Sequence, residues 1–136
     1  MQYSLNELEK AARFLIKEAS SEKIWCFVGE MGAGKTTLIK EICRQFEVVD
    51  TLSSPTFSIV NAYQNQSGEE FFHFDFYRVE DDREIIQLGV EEYFDSGKHC
   101  FIEWPDRVID FLPDRYLKIS VKLVADNLRE LTTTHV

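Results

Sequence analysis

A three-layer α/β fold with a mixed sheet is predicted by three observations. The first is the stretch Gly29-Glu30-Met31-Gly32-Ala33-Gly34-Lys35-Thr36, which matches the phosphate-binding pattern G-x-x-x-x-G-K-[ST]. It follows the unbroken apolar run Ile24-Trp25-Cys26-Phe27-Val28 and precedes Thr37 to Phe46, whose apolar residues fall at helical spacing. The second is a pair of apolar runs that each end on an acid, Phe71 to Asp75 and His99 to Glu103. The third is the strict alternation of Leu117, Ile119, Val121 and Leu123 with Lys118, Ser120 and Lys122, the mark of a strand with one wet face. Buried parallel strands around a glycine loop, with antiparallel additions, give a P-loop NTPase-like fold, and 1–136 reads as one such domain.

The elements follow in order. Ser4-Leu5-Asn6-Glu7 has the form of a capping box, with Leu5, Leu8, Ala12, Leu15 and Ala19 on one apolar face of a helix ending near Ser20. Asp50 to Thr56 is a polar loop, and Phe57 to Tyr63 alternates as a strand. Turn-like Gln64 to Glu69 and the Phe-rich run Glu70 to Tyr77 complete an antiparallel hairpin. Asp81-Asp82-Arg83-Glu84 opens a second capped helix that Gly89 stops, and Val90 to Phe94 makes another helical turn. Lys98 to Trp104 is a buried strand closed by Pro105, with a short helix through Val108, Ile109 and Phe111. Ala125-Asp126-Asn127 turns the chain into Leu128 to Thr134, giving a terminal antiparallel pair.

Composition excludes several function classes. No apolar run approaches the roughly 20 residues that span a bilayer, and Glu7 and Glu9 sit where a signal peptide would be basic and then apolar. A cytoplasmic setting without a membrane is the expectation. Cys26, Cys43 and Cys100 form no C-x-x-C pair and read as buried, reduced thiols. The net charge of −9 is concentrated in residues 46–110, where 15 acids face four bases. Such a surface repels nucleic acid, so any role with RNA requires a partner that holds it.

The chemistry expected of the glycine loop has separable parts. Gly29, Glu30, Met31, Gly32, Ala33 and Gly34 form the cradle, Lys35 reaches the β- and γ-phosphates, Thr36 offers its hydroxyl to Mg²⁺, and the Thr37 N–H adds to the anion site. A carboxylate at the end of a buried strand should complete the metal side. Asp75 and Glu103 both qualify, and spacing does not choose between direct metal binding, water-mediated binding and water activation. Thr56, in Ser54-Pro55-Thr56, reads either as a switch residue sensing the γ-phosphate or as part of an ordinary turn. Trp104 either stacks on a base or partner or packs at a strand end. His73 reads as a strand histidine, and His99 and His135 lack partners at metal spacing. The acidic run from Glu80 to Asp95 is a solvated helix face or a docking surface for a basic partner. There is no N-K-x-D, no L-S-G-G-Q and no Arg-rich lid, since Arg107, Arg115 and Arg129 are scattered.

Five motifs then occur in order: G-x-x-G-A-G-K-T-T (Gly29 to Thr37), S-P-T-F (Ser54 to Phe57), H-F-D-F-Y-R (His73 to Arg78), the L-G-x-E-E-Y-F run (Leu88 to Phe94) and I-E-W-P (Ile102 to Pro105). Across nearly its whole length the chain resembles the TsaE family, small bacterial ATPases of tRNA threonylcarbamoyladenosine synthesis. The resemblance implies binding of ATP and Mg²⁺ and hydrolysis of ATP when bound to the partners TsaD and TsaB, the pair that transfers threonylcarbamoyl to tRNA. It implies phosphate and Mg²⁺ roles for Lys35 and Thr36, a Mg²⁺-associated acid at Glu103 and an acid near the nucleotide at Asp75. It also implies a tryptophan tied to ATPase function at Trp104 and a basic residue near the nucleotide at Arg129. A nucleotide-gated binding module, with hydrolysis incidental, and a small-molecule kinase are the alternative readings.

Overall fold

The computed structural model describes residues 1–49 and 59–136. The loop containing Thr56 and the start of the following strand lie outside the described residues.

The chain opens with a two-residue strand, β1 (Gln2–Tyr3), too short to show any periodicity. Ser4 then donates its N–H to Glu7 Oε1 at 3.1 Å, the return bond of a capping box, and its hydroxyl donates to the same oxygen at 3.3 Å. The turn it caps is a 3₁₀ turn, Leu5–Glu7, and the α-helix α1 begins only at Leu8 (Leu8–Ala19). Leu5 therefore lies ahead of the buried face formed by Ala11, Ala12, Leu15 and Ala19, and is exposed. The glycine-loop strand is β2 (Ile24–Val28), and α2 (Lys35–Gln45) starts two residues earlier than its apolar spacing indicates.

The hairpin forms from β3 (Val60–Gln64) and β4 (Glu70–Asp75). Asn65 closes its turn by accepting the N–H groups of Ser67 (3.0 Å) and Glu69 (2.9 Å) on its side-chain oxygen. Asp81 caps α3 (Asp82–Leu88) by accepting the Arg83 N–H at 2.8 Å, and Gly89 stops that helix in the left-handed conformation (φ 72°) before α4 (Val90–Phe94). The last strands are β5 (His99–Glu103), β6 (Leu117–Ala125) and β7 (Leu128–His135), with a 3₁₀ segment Pro105–Phe111 after β5.

All seven strands join in one sheet of order β1-β7-β6-β2-β5-β4-β3. Its centre, β6-β2-β5-β4, is parallel, while β3, β7 and β1 add antiparallel at the two edges. The apolar runs of β2 and β5 now have their reason: each strand is covered on both faces. Trp25, Phe27 and Phe101 pack with Leu15, Leu38, Ile39 and Ile42 on the α1/α2 side. Ile24, Cys26, Cys100 and Ile102 pack with Phe74, Ile85, Val90 and Phe94 on the α3/α4 side. Helices, sheet and helices make the three layers. The three cysteines are free and buried, and burial pushes each thiol up to about 12. Among the described residues no helix is long and apolar enough to cross a membrane.

His99 is an imidazole set inside an aromatic cluster. It stacks on Phe71 (5.1 Å between centroids, 15°) and lies 4.7 Å from Phe46 and 5.9 Å from Trp25. Among the described residues its Nδ1 has no hydrogen-bond partner, and the Glu69 carboxylate is 3.7 Å away and half-exposed. Burial, helped by the Lys23 charge, lowers its pKa to about 4 from the usual 6.5. The folded state thus refuses a proton that the unfolded chain accepts, so stability is full above pH 6.5 and falls as pH drops toward 4. A shift of this size corresponds to at most about 3 kcal/mol. Urea unfolding of wild type and His99→Phe at pH 7.5 and 4.5 should show the variant losing markedly less stability on acidification. Equal losses in both proteins would show that His99 does not set this dependence.

Candidate functional site

The carboxyl ends of β2, β5 and β4 deliver the site, because side chains on alternate strand positions share one face. On β4 the positions facing α2 are Phe71, His73 and Asp75, and on β5 they are Phe101 and Glu103, with Asp75 opposite Glu103 in the register. The last of these on each strand are polar, so acids arrive where α2 begins. Gly29 to Gly34 bridge the gap between β2 and α2. Two of these glycines are sterically obligatory. A Cβ on Gly29 would collide with the Val121 carbonyl oxygen of β6. Gly34 has φ 103°, and a Cβ there would stand 2.9 Å from Arg129 Nε.

The charged groups are tightly arranged. Lys35 is buried, and its ammonium donates to the Gly29 carbonyl at 2.6 Å while lying 3.7 Å from the centroid of the Trp104 ring. Desolvation lowers its pKa, and the charges of Glu103, Asp75 and Asp106 act the other way. The Thr36 hydroxyl lies 2.9 Å from both oxygens of Glu103. His73 Nε2 lies 2.7 Å from Glu103 Oε2, and both side chains are buried. Asp75 accepts the Tyr77 N–H at 3.0 Å. Burial raises its pKa and Glu103 adds to that, partly offset by the Tyr77 hydrogen bond, His73 and Lys35.

Trp104 is held in the left-handed region (φ 59°, ψ 54°), an uncommon state for a bulky side chain that costs about 1–3 kcal/mol. That turn, just ahead of Pro105, sets the indole over Lys35 and 4.8 Å from the Tyr77 ring. On the opposite rim Arg129 of β7 donates from Nε to the Ala33 carbonyl at 2.9 Å, and its Nη1 is buried with no acceptor among the described residues. These groups enclose a cavity of about 310 Å³ whose walls include Met31, Gly34, Lys35, Thr36, Thr37, Asp75, Glu103, Trp104 and Arg129.

Most residues singled out from the sequence therefore converge. Gly29, Glu30 and Ala33 instead line an adjoining groove of about 380 Å³ beside Ser120 to Leu123 of β6, which Met31 and Gly32 also border. Thr56 is outside the described residues. Two groups were not anticipated: Tyr77, which lines the cavity, and His73, read only as a strand histidine, which stands behind Glu103 without lining it. For His73 the signal was present, two residues before Asp75 on the same face of β4, whereas Tyr77 lies in the turn after the strand, which ends at Asp75 and not at the expected Tyr77. The acidic segment from Asp81 to Asp95 lies on α3, α4 and their flanks, away from the cavity walls.

The donor set suits a hard cation with an anion. Thr36 and Glu103 offer oxygen ligands of the kind Mg²⁺ takes. The loop amides, Lys35, the start of α2 and the unpartnered Arg129 Nη1 offer positive charge and donors to a phosphate.

Residues 2–131 match the family model described as threonylcarbamoyl adenosine biosynthesis protein TsaE. The chain is 34% identical over 130 residues to the tRNA threonylcarbamoyladenosine biosynthesis protein TsaE of Bacillus subtilis, covering 96% of this chain and 80% of that one. It is 31% identical over 119 residues to the protein of the same name from Haemophilus influenzae, covering 87% and 75%. A crystal structure of Bacillus subtilis YdiB superposes on all of this chain and 84% of its own, with a TM-score of 0.73 and 26% identity. The fold is of the P-loop type, and the chain belongs to the TsaE family.

Proposed function

We propose that this protein binds and hydrolyses ATP with Mg²⁺ in the cytoplasm, acting with a TsaB–TsaD pair in threonylcarbamoyl modification of tRNA adenosine. The observation that carries the nucleotide reading is the convergence of Lys35, Thr36, Asp75 and Glu103 on one cavity at the start of α2. The family match supports the tRNA pathway. The concentration of acids in residues 46–110 supports leaving the RNA to partners.

Each side chain has a task its surroundings fit. The loop N–H groups and the α2 dipole hold the phosphate chain. Lys35 leaves its Gly29 carbonyl and Trp104 contacts to neutralise the terminal phosphates, whose charge restores what burial removes. Thr36 and Glu103 would hold Mg²⁺, which would supply neutralisation of the phosphate charge. Asp75, made more basic than an ordinary carboxylate by its burial, accepts a hydrogen bond from water and orients it. Arg129 fixes the loop through Ala33 and turns its remaining N–H toward the nucleotide. Trp104 closes the site over Lys35 and excludes bulk water.

Lys35→Ala should lower ATP turnover at least about a hundredfold while leaving thermal unfolding nearly unchanged, read by phosphate release and calorimetry. Glu103→Gln should retain nucleotide and lose turnover. If it supports repeated rounds of tRNA modification all the same, the protein is a nucleotide-gated binding module. Phosphate release should also rise well above the level of the protein alone when purified TsaB and TsaD are added. Equal rates with and without them would remove the partner-activated mechanism.

A further inference from the structure

His73 is more deeply placed in the site than a packing residue needs to be. It is buried on the last but one α2-facing position of β4, its Nε2 is 2.7 Å from Glu103 Oε2, and Glu103 is itself buried. The same carboxylate accepts the Thr36 hydroxyl, 2.9 Å from each oxygen. Among the described residues Glu103 thus has a hydrogen-bonding partner on α2 and another on β4. Only an N–H at Nε2 makes the His73 contact favourable, because a carboxylate has nothing but acceptors.

We infer that His73 is a positioning residue: its Nε2–H holds the Glu103 carboxylate in the one orientation that lets it act with Thr36 on a divalent cation. This rests on the Mg²⁺–nucleotide reading of the cavity. A carboxylate on a single hydroxyl can rotate about its terminal bond. A second donor at fixed distance removes that freedom, as outer partners do at metal sites, where their loss commonly weakens metal affinity about 10- to 100-fold. The contact spans two neighbouring parallel strands, His73 lying opposite Phe101 and Glu103 two residues on, so the sheet register holds the ring at the required height. His73 does not line the cavity, which separates it from groups that touch ligand.

The test compares His73→Gln, whose amide nitrogen replaces Nε2, with His73→Met, similar in length and without a donor. Affinity for a non-hydrolysable ATP analogue is measured by calorimetry in EDTA and in Mg²⁺. Wild type should bind more tightly with Mg²⁺. His73→Met should bind as wild type in EDTA and lose about 10- to 100-fold of the Mg²⁺-dependent gain. His73→Gln should recover most of that gain. If the methionine variant does not fold, His73→Asn, whose amide is too short to reach Glu103, should show the same loss. An unchanged Mg²⁺ gain in the donor-less variant would overturn the inference. So would equal weakening in EDTA and Mg²⁺, or a glutamine variant as weak as methionine. Failure of wild type to bind the analogue under either condition would instead overturn the nucleotide reading itself.

Discussion

The carboxylate of Glu103 is the constraint on which the site depends. It ends the most buried strand of the sheet, and it is tied at once to the first turn of α2 through Thr36 and to β4 through His73. A buried charge of this kind is costly unless paired and hydrogen-bonded. Here Thr36, His73 and the nearby ammonium of Lys35 supply that compensation. The helix, the loop and two strands are therefore held together by the same group that the chemistry requires. Rigid placement of the acid and placement of the loop are one structural fact.

Burial sets the chemistry of the neighbouring groups in a consistent direction. Desolvation lowers the Lys35 pKa and raises that of Asp75. Both are pushed toward neutrality, which an arriving polyanion with a divalent cation would reverse for Lys35. Trp104 covers the Lys35 ammonium with an indole face, a cation–π contact made at the expense of a left-handed backbone. Strain at one residue, next to a buried cation, is the kind of arrangement found where a surface must close and open. The acid-rich helices α3 and α4 sit elsewhere, which leaves their charge available for another role.

Much of the fold could be read from the chain because its signals were local. The glycine pattern, the apolar β2 run, the Asp81 and Gly89 caps and the alternation in β6 each correspond to an element with the expected type. The misses were also physical. Two residues of β1 carry no period, and the Ser4 box starts a 3₁₀ turn, so Leu5 falls off the buried face. In the site, spacing led to Lys35, Thr36, Asp75 and Glu103, but their mutual distances come only from the parallel register of β2, β5 and β4. His73 was visible on the same strand face as Asp75. Its role could not be read because its partner lies 30 residues away on another strand.

The central claim is that the glycine loop and the strand-end acids form one Mg²⁺–nucleotide site. The most direct measurement is amide chemical-shift mapping of ¹⁵N-labelled protein titrated with ATP, first without and then with Mg²⁺. The account predicts that nucleotide shifts the amides of Gly29 to Thr37, and that Mg²⁺ adds shifts at Thr36, Asp75, Glu103 and Trp104. Shifts confined to the Ser120 to Leu123 groove, or none that respond to Mg²⁺ at Glu103, would contradict it.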